Sequence, residues 1–207
     1  MSVADAQAIT GKLSEPTKMP GRSYSLPAAE CATGGKLREI EGSTCHKCYA
    51  MKGRYTLPAQ QGAMYRRLRA LDHPQWVEAM AALIRKQSPD YFRWHDSGDL
   101  QSVEHLRKIN VVAQLTPGTR HWLPTREYRI VRDYLQQYGA FADNLLVRLS
   151  AHMIGGHAPT GAGLPVSTVN VSGAGVHVCP ARHQGNRCGD CRACWSADVR
   201  HVSYPLH

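Results

Sequence analysis

The seven cysteines of this chain fall into two separate clusters, and this distribution constrains its folding more than any other feature. The first cluster is Cys31, Cys45 and Cys48, and the second is Cys179, Cys188, Cys191 and Cys194. The second cluster contains a C-x2-C-x2-C run, which places successive sulfurs on one turning loop. Several thiolates on such a loop can point at one centre. We therefore predict a metal or iron–sulfur site that is built from loops at both ends of the chain.

Disulfide bonds are the alternative use of these cysteines. An odd number of cysteines leaves at least one unpaired, and a chain of 207 residues can bury a core without cross-links. The opening residues MSVADAQAIT have neither the basic nor the apolar region of a signal peptide. In a reducing compartment, this spacing is more typical of metal binding than of disulfides.

The spacing of the second cluster favours an iron–sulfur cluster. Cys179 is followed by a proline, and three further cysteines lie within seven residues, as in ferredoxin loops. We predict one or two [4Fe-4S] clusters. Either four cysteines hold one cluster and three hold another that has an open iron position, or both ends of the chain supply a single site.

Zinc is the alternative metal, because histidines accompany both cysteine clusters. His177 and His183 flank Cys179, and His46 lies between Cys45 and Cys48. Zinc accepts mixed sets of cysteine and histidine ligands.

The middle of the chain predicts an α/β fold. Strand-like segments at 91–95, 119–123, 145–149 and 167–171 alternate with helical patterns at 57–71, 76–84, 103–112 and 128–138. Alternation of this kind predicts a parallel sheet, either open or a partial (β/α) barrel. We expect one domain over 1–207, with an extended N-terminal arm at 1–30 and a cysteine loop at 176–198 packed on it.

Polar residues follow the predicted strands, where ligands of parallel sheets bind. The candidates for binding a cofactor are His95, Asp96, Ser97, Gly98, Asp99 and Arg126. Catalytic residues are not identifiable from the sequence, and whether the protein is an enzyme stays open.

Five segments resemble the phage gene-product-88-like domain family. They are PTKMPGRSYSLPAAEC, GSTCHKCYAMKGRY, RWHDSGDLQS, HWLPTRE and CPARHQGNRCGDCRACW, and the similarity spans about residues 14–197. The resemblance implies a phage or prophage protein in the cytoplasm of the bacterial host.

A more distant likeness is to radical S-adenosylmethionine enzymes, which have a partial barrel and a three-cysteine cluster. Cys45-x2-Cys48 and Ser97-Gly98-Asp99 occupy comparable places, although the gap between Cys31 and Cys45 is longer than in that superfamily. This likeness implies S-adenosylmethionine as an additional cofactor.

Composition bears on the partners of the protein. The formal charge is +9, which is compatible with nucleic-acid binding, and no apolar stretch is long enough to span a membrane. We expect an iron–sulfur protein acting in electron transfer or redox sensing with an unidentified redox partner. The alternatives are a radical S-adenosylmethionine-like enzyme and a zinc-stabilised nucleic-acid-binding protein.

Overall fold

A parallel β-sheet organises the protein in the computed structural model, which describes residues 1–157 and 163–206. Seven strands of this part lie in the order β1-β2-β3-β4-β5-β7-β6, and every pair of neighbours is parallel. The strands are β1 (Arg22–Tyr24), β2 (Tyr91–Trp94), β3 (Arg120–Thr125), β4 (Leu145–Ser150), β5 (Val166–Val169), β6 (His177–Val178) and β7 (His201–Tyr204). The sheet is open, with β1 and β6 as its outer strands. The predicted α/β class and parallel sheet are therefore confirmed.

α-Helices connect β1 to β2, β2 to β3 and β3 to β4, as the alternating sequence pattern predicts. The helices are α1 (Val3–Thr10), α2 (Ala32–Arg38), α3 (Pro58–Ala70), α4 (Trp76–Gln87), α5 (Val103–Leu115) and α6 (Tyr128–Tyr138). Short 3-10 turns occur at Ala28–Glu30, Tyr49–Met51, Gly53–Thr56, Pro180–His183 and Ala193–Trp195. In the described residues, no helix is both long and apolar enough to cross a lipid bilayer.

One face of the sheet packs against the helices and forms the main apolar core. Tyr24 of β1 and Trp94 of β2 are register partners, so both side chains point to this face. There they pack edge-on against each other and around Trp76 of α4, and all three are fully buried. Each aromatic side chain removes a large apolar area from water, which makes this cluster a main source of stability.

The other face of the sheet, which we call the inner face, is covered by the C-terminal segment. Arg93 and Trp122 are register partners on this face, and Arg148 lies next to them on β4. Trp195 packs edge-on against Trp122 at a centroid distance of 5.1 Å, and its indole N–H donates to Phe92 O at 3.0 Å. The cysteine-rich segment after β6 is thereby anchored on the inner face.

The N-terminal arm is the element that sequence reasoning assigned wrongly. Residues 1–30 are predicted to be extended, but α1 packs on α4 and β1 is a strand of the sheet. Ser2 and Asp5 form a capping box that starts α1, and Ala6 is fully buried.

Candidate metal centres

The C-terminal cysteines lie on the segment that covers the inner face, and backbone hydrogen bonds fix its course. Cys179 N donates to Ser203 O on β7 at 2.8 Å, and Cys188 N donates to Lys18 O at 2.8 Å. Cys191 N donates back to Cys188 O at 3.0 Å, which closes a tight turn between these two cysteines. The segment is therefore held by the last strand on one side and by the N-terminal region on the other.

The sulfurs of this cluster contact polar groups of the sheet. Cys191 Sγ lies 3.4 Å from His177 Nε2, and Cys194 Sγ lies 3.2 Å from the Tyr204 hydroxyl. His177 and Tyr204 lie on the adjacent strands β6 and β7. Each of these contacts can supply a hydrogen bond to a thiolate, which would stabilise its charged form.

The ionisation of the C-terminal cysteines is coupled through their charges. Burial raises the pKa of Cys188, and the charges of Cys179 and Cys191 raise it further. Burial also raises the pKa of Cys194 to about 11, with a smaller contribution from Cys179. Four thiols that oppose one another's ionisation in this way need a cation among them before all can become thiolates.

Two arginines of the inner face act on the same cysteines. The positive charges of Arg148 and Arg93 both lower the pKa of Cys194, against the effect of burial. Arg148 is fully buried and donates to the carbonyls of Val166 at 2.9 Å and Val199 at 2.9 Å. Arg93 lies over the Trp122 ring, 4.5 Å from its centroid.

Neither arginine forms an ion pair with a carboxylate in the described part of the chain. Their Nε atoms are buried and have no hydrogen-bond partner there. Asp96 acts electrostatically on Arg93, but from beyond ion-pair distance. The inner face therefore holds two guanidinium groups that form no ion pair with a carboxylate in the described residues.

The N-terminal cysteines lie at the carboxyl end of the sheet, on segments that are docked to strand ends. Cys31 is the residue before α2, and Cys45 and Cys48 lie on the following loop. Thr44 N donates to His152 O at 2.8 Å just after β4, and Arg126 Nε donates to Thr44 Oγ1 at 2.9 Å. Ser43 and Met153 form an isolated antiparallel bridge.

A glycine makes room between two of these sulfurs. A Cβ at Gly34 would lie 3.0 Å from Cys31 Cβ, 3.7 Å from Cys31 Sγ and 3.6 Å from Cys45 Sγ. Burial raises the pKa of Cys31 to about 12, and the charges of Asp99, Cys48 and Cys45 add to the shift. Cys31 and Cys45 are therefore neighbours, and Cys48, whose N–H donates to Cys45 O at 3.1 Å, lies one turn away. The three-plus-four division of the seven cysteines stays a prediction.

Three of the predicted cofactor-binding residues hold the N-terminal region in place. The carboxylate of Asp96 accepts from Ser23 Oγ at 2.6 Å and from Tyr55 OH at 3.2 Å. Ser97 Oγ donates to Leu26 O at 2.9 Å. Gly98 has φ +80°, and a Cβ there would lie 2.6 Å from Leu26 Cβ, so both its conformation and its contact require glycine.

His95 directly follows β2 and its side chain is buried. Neither of its ring nitrogens has a hydrogen-bond partner in the described residues. Burial, with the charges of His105 and Arg93, holds its pKa well below the usual range, so the ring is neutral. Its role as a cofactor-binding residue stays a prediction.

Asp99 and Arg126 are the predicted residues that lie beside the N-terminal cysteines. Asp99 accepts from Thr125 Oγ1 at 2.6 Å, Leu100 N at 2.8 Å and Arg126 N at 2.9 Å. Burial nevertheless raises its pKa to about 6. The Arg126 charge lowers the pKa of Cys45 against the larger effect of burial.

All seven cysteines are free thiols. Among the described residues, no three side chains of His, Cys, Asp or Glu are close enough together to hold one metal ion. The cysteines thus form two loose groups rather than a tight single-ion site.

Sequence reasoning missed Gly34, Arg93, Arg148 and Tyr204 as members of these sites. Arg93 and Arg148 each interrupt an apolar strand, which is a visible signal of a polar inner face. Gly34 is one of two consecutive glycines just after Cys31, inside a helix that glycine disfavours.

Comparison with known proteins adds one assignment. The family model described as gene product 88 matches residues 2–197, which covers both cysteine clusters and every strand of the sheet except β7. The chain belongs to the phage gene product 88 family. This membership confirms the resemblance of the five sequence segments. No curated protein and no solved structure matches the chain, and the likeness to radical S-adenosylmethionine enzymes stays a prediction.

Proposed function

We propose that this phage protein is an iron–sulfur protein that binds a [4Fe-4S] cluster through Cys179, Cys188, Cys191 and Cys194 and exchanges single electrons in a redox or sensing role. The observation that carries this proposal is the pair of guanidinium groups, Arg93 and Arg148, that form no ion pair in the described residues and whose charges both lower the pKa of Cys194.

Charge balance is the physical reason. A buried cation without a counter-charge is costly, and a fully buried arginine such as Arg148 cannot lose its proton. Four thiolates around a [4Fe-4S]2+ core carry a net charge of about −2, which would balance the two guanidinium groups. A zinc ion with four thiolates would carry the same charge, so charge alone does not distinguish these metals.

The spacing of the C-terminal cysteines along the chain favours the iron–sulfur cluster over zinc. A zinc ion holds sulfurs about 2.3 Å from a single centre, which brings all of them into mutual contact. A cubane spreads its four cysteines over four iron atoms, so their sulfurs lie farther apart. Cys188, Cys191 and Cys194 lie within seven residues of one another, and this close spacing supports the cubane.

The surroundings also suit a redox role. Positive charge and hydrogen bonds to sulfur favour the reduced, more negative state of a cluster and so raise its potential. Arg93 and Arg148 supply the charge, and the contact between Tyr204 OH and Cys194 Sγ can supply a hydrogen bond. Cys179 and Cys188 are only half-buried, so an electron donor could approach this side of the site.

The test is iron and sulfide analysis of anaerobically purified protein, with its absorption and electron paramagnetic resonance spectra. We expect a brown protein, and we expect Cys188→Ser/Cys191→Ser to lose about four irons per chain. Cys31→Ser is the matched control, because it removes a thiol of the other group and should retain the C-terminal signal.

Two outcomes would overturn the proposal. The first is a colourless protein that contains stoichiometric zinc and no sulfide, in which case binding to nucleic acid should be measured against salt concentration. The second is iron whose spectrum is unchanged by Cys188→Ser/Cys191→Ser.

A further inference from the structure

The N-terminal cysteines have a different set of neighbours, and these point to a second kind of site. We propose that Cys31, Cys45 and Cys48 hold their own [4Fe-4S] cluster, with one iron open to a small external carboxylate that Arg126 binds. The proposal extends the iron–sulfur chemistry proposed above, but it does not depend on the C-terminal site.

The number of cysteines at this site is one fewer than the number of irons in a [4Fe-4S] cluster. Three cysteines meet at the carboxyl end of the sheet, and Gly34 leaves open the space beside Cys31 and Cys45. A cubane has four irons, so three cysteines leave one of them without a thiolate. Some other group must take that position.

The neighbouring side chains that could supply a fourth ligand are already engaged, including His46, whose Nδ1 lies 2.9 Å from Arg38 O. The Asp99 carboxylate accepts three hydrogen bonds, and Glu127 accepts from Thr33 N at 2.8 Å and from Thr33 Oγ1 at 2.6 Å. His152 Nε2 lies 3.2 Å from Arg126 O, and its ring is stacked on Tyr128. Recruiting any of them would break the contacts that dock α2 and the strand ends, so the position is left to an external ligand.

Arg126 determines the chemical class of that ligand. Its Nε is held by Thr44 Oγ1, and its charge acts on Cys45. In the described part of the chain, its two Nη groups donate no hydrogen bond and it joins no ion pair. A guanidinium fixed at Nε and free at Nη is suited to a carboxylate, which can accept from it while a second donor atom of the ligand reaches the iron.

The site is also accessible. Cys31 and Cys48 are half-buried, and the side chains of Tyr49 and Met153 beside them are about half and two-fifths exposed, at 50% and 39%. A small molecule can therefore reach the cysteine loop from solvent.

The open iron is tested in Cys188→Ser/Cys191→Ser, which removes the C-terminal cluster from the measurement. Ferricyanide should take one electron from the remaining [4Fe-4S]2+ cluster and release one Fe2+, leaving [3Fe-4S]+ with its own paramagnetic signal. Added Fe2+ and a one-electron reductant should restore the original cluster. A cluster that survives ferricyanide with all four irons would overturn the proposal.

Binding of a carboxylate is tested on Cys188→Ser/Cys191→Ser, the parent protein of this experiment. Glycine and lactate are the probes, and glycinamide is the control that lacks a carboxylate. Both carboxylates should change the signal of the reduced cluster, and glycinamide should not. Arg126→Gln should weaken this effect at least tenfold with iron content unchanged, and Arg126→Lys should restore part of it. An equal response in Arg126→Gln, or no response in the parent protein, would overturn the role of Arg126.

Failure of this inference can be told apart from failure of the proposed function. If Cys188→Ser/Cys191→Ser contains no iron while the unsubstituted protein contains about four per chain, only the N-terminal cluster is refuted. If the unsubstituted protein contains no iron and sulfide, both proposals fail.

Discussion

At the scale of single residues, Gly34 is the clearest sign that the fold leaves space for a ligand. Glycine inside a helix costs about 1 kcal/mol relative to alanine, and Gly34 has no positive φ that would require it. The neighbouring Gly35 lies in the same helix, but a Cβ there would meet only the guanidinium end of the Arg38 side chain, at 3.3 Å. The two glycines therefore form a matched pair for substitution.

Gly34→Ala should lower iron loading at the N-terminal site without destabilising the fold. The new methyl would press on Cys31 Cβ at 3.0 Å and occupy space between Cys31 and Cys45, whereas the helix itself should gain stability. We expect iron to fall from about eight to about four per chain. Gly35→Ala should retain full iron, and equal iron contents in the two variants would contradict this role for Gly34.

Arg93 should set the reduction potential of the C-terminal cluster. A cation near a cluster stabilises its reduced state, so Arg93→Met should lower the potential by on the order of 50–100 mV for a one-electron couple. Arg129→Met is the control, since it removes the same charge from a side chain that is 85% exposed. Potentiometric titration followed by electron paramagnetic resonance measures the reduction potentials of both variants. Equal shifts in potential would mean that only the net charge of the protein matters.

At the scale of elements, Trp195 connects the C-terminal cysteine segment to the sheet. Its side chain is buried against Tyr91 and Trp122, and its indole N–H is bonded to Phe92 O. Trp195→Ala should destabilise the protein by about 3–5 kcal/mol. Trp195→Phe keeps most of the packing and should lose about 1 kcal/mol with the hydrogen bond. Urea unfolding of the metal-free protein measures the free energy of unfolding of both variants. Equal losses of stability would show that packing contributes little.

The elements also show which parts of the fold the sequence predicts. Helix α6 has the predicted bounds of 128–138, because it is flanked by clear turns and follows a strand in a regular βα unit. Strands β1, β6 and β7 contain only two to four residues each, too few for a period of two to be recognised. They form through pairing with strands distant in sequence, such as β1 with β2, and the sequence carries no local record of that pairing.

The candidate sites were predictable to a different extent. Cysteine spacing predicted the two groups of sulfurs, because C-x2-C spacing acts within one loop. The sequence did not reveal that Arg148 is buried, because that depends on the C-terminal segment folding across β4 and offering the carbonyls of Ala193, Ser196 and Val199. A residue that is buried by a segment distant in sequence has the same local sequence pattern as an exposed residue.

At the scale of the whole molecule, buried neutral histidines should make the protein sensitive to acid. Burial lowers the pKa of both His105 and His121 to about 3. The Trp94 indole N–H donates to His121 Nδ1 at 3.3 Å, and His121 Nε2 lies 2.8 Å from Thr116 Oγ1, so a neutral ring fits this site. In the unfolded chain these histidines would titrate near 6.5. Between that value and about pH 3 the unfolded state binds more protons, so stability is lost as the pH falls through this window.

The prediction is that the free energy of unfolding decreases between about pH 7.5 and about pH 5, and that His121→Gln reduces this decrease. A shift of one pKa unit corresponds to about 1.4 kcal/mol, so the loss from each histidine at about pH 5 is about 2 kcal/mol. Glutamine can accept from Trp94 and donate to Thr116 without titrating in this range. His157→Gln, at an exposed position, should leave the pH dependence unchanged. Urea unfolding at both pH values decides the matter, because an unaltered dependence in His121→Gln would place the acid sensitivity elsewhere in the core.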